Sequence, residues 1–419
     1  MSQLSKYADD NKLPVMDQQT FETVTNDIGK EKFREDLSQY IAENRPKFPL
    51  KEISYEAMRQ AFKSLQKQDV WEFVKPIELL EKNVKEKYDD YKYNFKDHGL
   101  GIIDAPSNFN DISNYFHQHL RLNCGSFGFK APIDVWENGT AKDIWRCLGP
   151  IWRGINGMKP VEVDNKIELR GGRLDDKSYM SAFRLGTYIA TQFKPNVAKT
   201  IYQMTNAKRV LDTSCGWGDR LAGFFTSDAE EYIGCDPNPN TYKQYLKQVE
   251  TYNSFLSKPK KVTIYNCGAE DLPWNETDNR DCAVTRPPYV SAERYNEGGE
   301  KEENQSWHKF DEYSKWRDDF YLPVAQKSFE RSKHMFVNIM DPNIKNKRYY
   351  SSDELVDSLK DNFVGQIGMR IMQRPKSDKL FESDEEKAEF MNRIYIENVW
   401  CFSKEKLDYF RHSRRATLF

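Results

Sequence analysis

The chain has 419 residues, of which 31% are charged and 14% aromatic, with a formal net charge of -2 at pH 7. That length suits one large α/β domain plus a second unit. The near-neutral balance excludes global basicity as a grip on nucleic acid, so any phosphate contact must come from a local patch.

Seven cysteines, at 124, 147, 215, 235, 267, 282 and 401, form no Cys-x-x-Cys pair. Scattered cysteines predict reduced thiols in a cytosol and argue against a zinc site. The amino terminus lacks the apolar core of a signal peptide, and no run is long enough to span a bilayer. A cytoplasmic protein with no membrane segment is the expectation.

Residues 17–44, 55–67 and 70–93 show apolar residues at helical spacing and predict helices. Residues 97–172 carry more glycine, aromatic and turn residues. His117 and His119 lack a neighbouring carboxylate ligand set, so no metal is expected there. Trp145, Arg146, Trp152 and Arg153 interleave rings and guanidinium groups, which suits either stacking with phosphate contact or a helix packing its tryptophans inward. Arg170 to Arg173 marks a junction between a helical and irregular unit, 1–172, and a second domain, 173–419. Pro195 then opens a helix whose exposed face is expected to carry Lys199.

Val210 and Leu211 read as a short strand ending on Asp212, followed by a turn with Ser214, Gly216 and Gly218 and a helix from Asp219. Ligands of open α/β sheets sit at such carboxyl ends, where glycine lets the backbone approach a nucleoside. A second strand ends at Asp236, about twenty residues on, the spacing at which an acid takes ribose hydroxyls. A third runs into Glu270 and Asp271, acids placed to face an adenine ring. The fourth, from Asp281, runs through Thr285 and Arg286 into Pro287, Pro288 and Tyr289.

The Asp-x-x-x-Gly-x-Gly turn, the acid-bearing turns and the Pro-Pro-Tyr loop together resemble class I S-adenosylmethionine-dependent methyltransferases. Within them, the closest resemblance is to phage-type DNA amino-methyltransferases, over roughly residues 175–405. The resemblance implies a seven-stranded, mostly parallel, doubly wound sheet finished by an antiparallel pair, residues 367–373 and 395–402. It implies that Phe193, Asp212, Ser214, Gly216, Gly218, Asp236, Glu270 and Asp271 hold S-adenosylmethionine. It also implies that the Thr285–Tyr289 loop methylates adenine N6 or cytosine N4, with Tyr289 stacking on an extruded base and the Pro287 carbonyl accepting from its amine.

Arg286 departs from that pattern, which has Asp, Asn or Ser there. A guanidinium has no lone pair for an amine, so impaired transfer is expected, or a catalytically silent DNA-binding or assembly protein, or an RNA or small-molecule substrate. DNA contact is expected through Lys194, Lys199, Lys208, Arg209, Lys345, Lys347 and Arg348. The polar segment 291–306 is expected to be a lid or a solvated excursion, and the tail from Arg411 to Arg415 is basic.

Overall fold

Val210, Leu211, Tyr232, Ile233, Cys282 and Ala283 are all nearly or wholly buried, as continuous apolar strands must be when both faces of a parallel sheet are covered. The computed structural model describes residues 3–76, 84–125, 130–152, 159–164, 166–291, 293–372 and 381–405. Among them the strands are β1 (Val74–Pro76), β2 (Val84–Lys85), β3 (Gly99–Ile103), β4 (Lys159–Val163), β5 (Lys166–Arg170), β6 (Arg209–Asp212) and β7 (Glu231–Cys235). The remainder are β8 (Lys261–Tyr265), β9 (Arg280–Thr285), β10 (Ser332–Asn338), β11 (Asn343–Ile344), β12 (Lys347–Arg348), β13 (Phe363–Arg370) and β14 (Ile394–Ser403).

The central sheet runs β1-β3-β13-β14-β10-β9-β6-β7-β8, with β2 beside β14, ten strands in all. Strands β6 to β10 are mutually parallel where they pair, and β14 lies antiparallel between β10 and β13. The stretch from β13 to β8 is the expected seven-stranded, mostly parallel sheet. Strands β1 and β3 extend it, β3 pairing parallel with β13. The chain order reverses between β6 and β9, which makes their carboxyl ends the crevice where such sheets take ligands.

Alternate residues of these strands serve opposite faces. Leu211, Ile233, Ala283, Met335 and Val337 pack in one cluster with Trp316, Phe320, Tyr321 and Phe329 from the helical run Tyr313–Glu330. That run widens to a π turn at Trp316–Tyr321. Pro323 explains it, because its ring clashes with the carbonyl four residues back and offers no N–H. Elsewhere the helices Pro195–Met204 and Asp219–Thr226 cross closely at Gly223, where a Cβ would strike the Pro195 carbonyl and Ala198 at 2.6 Å.

The chain divides into two compact units, residues 1–53 with 118–191, and 54–117 with 192–419. This differs from the 172/173 junction drawn from the sequence. The reason is strand pairing: β1, β2 and β3 come from the amino-terminal part yet belong to the central sheet. The helix expected over residues 70–93 is also corrected. A 3-10 turn, Val70–Phe73, leads into β1 and later β2, and residues 77–83 lie outside the described residues.

The first unit gathers the helices Gln18–Ile28, Lys30–Asn44, Pro132–Asn138, Ala141–Leu148 and Asp176–Gly186 around Phe21, Phe33, Trp136, Trp152 and Phe183. Gly29, at φ 81°, breaks what the sequence suggests is one helix over 17–44. Trp152 is buried against Phe21 and Phe33, and the Arg34 guanidinium lies 3.5 Å from the Trp145 ring centre. These tryptophans therefore serve packing; Arg153 lies outside the described residues.

Candidate functional site at the carboxyl ends of the parallel strands

Asp212 ends β6 and is fully buried. Its Oδ2 accepts from Arg220 Nε at 2.8 Å and from the Tyr232 hydroxyl at 2.6 Å, and its Oδ1 accepts from the Ser214 N–H at 3.1 Å. In this structure its oxygens are engaged in shaping the turn. Arg220 also donates to the Ser214 carbonyl, and its guanidinium lies 5.4 Å from the ring centre of the buried Phe193. Phe193 thus stands beside the turn through this arginine.

The turn needs its glycines for two different reasons. Gly216 has φ 61°, and a Cβ there would touch Arg220 Nη2 and the Ser214 carbonyl only at ordinary contact distance, 3.7 Å, so backbone conformation rather than crowding demands glycine. Gly218 has φ 72°, and a Cβ there would strike Gln248 at 2.2 Å. Gln248 is held in turn by the buried His117, whose Nε2 lies 2.8 Å from its Oε1. His119, two positions along the same helix, is exposed, so the two imidazoles face apart.

Asp236 ends β7 beside this turn, where the spacing predicts it. Its carboxylate accepts four bonds from within the protein: Asn238 N–H at 2.9 Å, Thr241 Oγ1 at 3.1 Å, Gly216 N–H at 3.1 Å and the Tyr245 hydroxyl at 3.0 Å. Burial raises its pKa, opposed by those donors. In this structure Asp236 braces the glycine turn.

Glu270 and Asp271 lie in the 3-10 turn after β8. Lys309 Nζ donates to Glu270 Oε1 at 2.6 Å and Asp271 Oδ2 at 2.8 Å. Glu270 Oε2 is buried and has no hydrogen-bond partner, an unusual state for a carboxylate oxygen. Of the segment 291–306 expected to be a lid or excursion, Tyr295 sets its ring 5.9 Å from Trp217 of the glycine turn and its carbonyl accepts from Trp307 Nε1; just beyond the segment, Lys309 latches the two acids.

At the end of β9 a hydroxyl relay ties two strand ends together. Thr213 Oγ1 donates to Thr285 Oγ1 at 2.9 Å, the Thr285 and Ser214 hydroxyls lie 2.8 Å apart, and Ser214 Oγ donates to the Arg286 carbonyl at 2.9 Å. Pro287 and Pro288 follow, above an apolar cavity of about 10 Å³ bounded by Phe320 and Tyr321, room for about one water. Tyr289 is 2% exposed, so the stacking ring expected there is covered in this structure, with Arg286 Nε 3.5 Å from its hydroxyl.

Arg286 does not stand alone as a charge. Its Nη2 lies 3.4 Å from Glu397 Oε1 on β14, with side chains 11% and 18% exposed. Sequence reasoning missed Glu397, Lys309 and Tyr245. Only the isolated charge of Arg286 hinted that some carboxylate must meet it.

The expected basic patch is largely dispersed. Lys199 is buried, donating to the carbonyls of Leu65, Gln66 and Gln68, because it closes the end of the helix Tyr55–Lys67 rather than facing solvent. Lys194 Nζ is spent on the carbonyls of Ala105 and Arg370. Lys208 and Arg209 stand at the amino end of β6, opposite the site. Arg348 pairs with Asp341 and Asp90. Lys345 and Lys347 remain exposed on the β11–β12 hairpin beyond β10, and the tail from 406 onward lies outside the described residues.

The orphaned oxygen of Glu270, beside the glycine turn and Asp236 at the strand ends, fits a nucleoside-bearing cofactor. Among the described residues no group of His, Cys, Asp and Glu is arranged to hold a metal, and no helix is long and apolar enough to cross a membrane. No family model matches the chain, and no curated protein matches it. Solved structures show a loose likeness to it. An S-adenosylmethionine-dependent O-methyltransferase from Thermotoga maritima is 13% identical, covering 59% of this chain and 78% of that one, with a TM-score of 0.31. The methyltransferase domain of a bacterial Hen1 protein is 12% identical over 50% and 96%, with a TM-score of 0.27. The amino-terminal domain of EvdMO1, solved with SAH and D-fucose, is 9% identical over 62% and 93%, with a TM-score of 0.30.

Proposed function

We propose that the sheet-bearing unit is an S-adenosylmethionine-dependent methyltransferase acting on an exocyclic amino group of a DNA base, adenine N6 or cytosine N4. One arrangement carries the reading: a glycine turn, two acid-bearing turns and Thr285–Tyr289 all stand at the carboxyl ends of β6, β7, β8 and β9. When bound, the cofactor supplies a methyl on a sulfonium. An amine held against that methyl would take it on its lone pair, and its proton would be lost to water.

The chain's own residues bind and orient. Gly216 gives the turn the conformation the ligand needs, and Asp236 takes ribose hydroxyls by exchanging one of its present donors. Glu270 and Asp271 face the nucleoside once Lys309 lets go. The Pro287 carbonyl, fixed by two proline rings, accepts from the substrate amine. Tyr289 stacks on the extruded base after the covering segment moves.

The test is transfer of labelled methyl from S-adenosylmethionine to unmodified genomic DNA, followed by nucleoside analysis. Label in N6-methyladenine or N4-methylcytosine is expected. Label only in RNA transfers the reading to that polymer, and label in neither, with cofactor bound, favours a silent assembly protein.

A further inference from the structure

The amino group of adenine or cytosine never stands alone. It sits on a ring carbon whose neighbouring ring nitrogen is an acceptor, so the reactive edge offers a donor beside an acceptor. A site that recognises this edge must present the reverse, an acceptor beside a donor. Arg286 and Glu397 form such a couple immediately before the di-proline. The guanidinium donates only, the carboxylate accepts only, and the two lie 3.4 Å apart with little solvent access. Arg286 directly follows β9 and Glu397 lies on β14, so the couple is not a local motif.

We infer that Arg286 and Glu397 together read the amine-bearing edge of the target base, Glu397 accepting from the amine and Arg286 donating to the adjacent ring nitrogen. This rests on the amino-methylation reading above. Glu397 then supplies the acceptor oxygen that position 286 lacks, and its negative charge faces an amine that becomes cationic as the bond forms. The couple also excludes keto bases, whose edge sets an acceptor against Glu397 and a donor against Arg286. Tyr289, whose hydroxyl lies 3.5 Å from Arg286 Nε, fixes the guanidinium plane beside the stacking position.

The test uses the whole protein and DNA amplified with ordinary bases, or with 1-deazaadenine or 3-deazacytosine, which keep the amine and lose the ring-nitrogen acceptor. Labelled methyl transfer should fall about 10- to 100-fold on the deaza DNA that matches the target base, the worth of one hydrogen bond to a charged group. Transfer at the ordinary rate overturns the edge-reading role of Arg286 while leaving amino-methylation intact. In parallel, Glu397→Gln should lose about 10²–10³ in single-turnover rate with its affinity for S-adenosylmethionine unchanged. Parental rate in that variant overturns the role of Glu397. No label in any amino-bearing DNA removes the amino-methylation reading, and this inference with it.

Discussion

Arg286 and Glu397 are 111 residues apart in the chain and 3.4 Å apart in the fold. From the sequence, Arg286 is a lone charge in a motif that calls for an acceptor; the fold gives it a carboxylate partner. Arg286→Ser would leave Glu397 largely buried without its partner, a loss of about 3 kcal/mol. Urea denaturation should show that loss, with part of it recovered in the double variant Arg286→Ser/Glu397→Ser. A single variant as stable as the parent would mean the pair is energetically idle.

Lys309, on the short helix that follows the 291–306 segment, holds the two acids of the β8 turn. Partly exposed pairs of this kind are worth about 0.5–1 kcal/mol, so Lys309→Ala should open the segment more often. Stopped-flow quenching of Trp217 by S-adenosylmethionine should speed up about two- to fivefold. Slower association would show instead that Lys309 helps to build the site.

Burial pushes the His117 imidazole down to about 4, whereas the unfolded chain titrates near 6.5. Between those values the unfolded state binds more protons, so stability rises with pH across that window and is lost on acidification. His117→Gln should remove this component, worth at most about 3 kcal/mol at the acid end. Parent and variant stability curves that stay parallel from pH 7 to 4 would contradict the assignment.

With Lys199, Lys194 and Arg348 engaged internally, Lys345 and Lys347 are the exposed cations of the expected patch on the site's side of the sheet. Two phosphate contacts predict a slope of log affinity against log salt of about -2 for duplex DNA. Filter binding of Lys345→Ala/Lys347→Ala should flatten that slope. An unchanged slope would place the DNA contacts elsewhere.

The sheet was legible because its strands are short apolar runs closed by an acid, a glycine or, after β9, a proline pair, and β6 to β10 fall where those runs lie. The extension by β1 and β3 was hidden. Val74–Pro76 is too short to show a period of two, and its partner, Gly99–Ile103, holds two glycines. The glycine turn was legible through the conformation it requires, but the bonds from Arg220 and Tyr232 to Asp212 appear only in three dimensions. Lys199 shows the same limit: helical spacing cannot reveal that carbonyls from another helix end surround an ammonium.

Equilibrium binding of S-adenosylmethionine to the intact protein, followed by the fluorescence of Trp217 and by calorimetry, tests the central claim most directly. The account predicts saturable binding of one equivalent with quenching of Trp217, which lies in the glycine turn against Tyr295. Neither heat nor quenching at millimolar cofactor would contradict it.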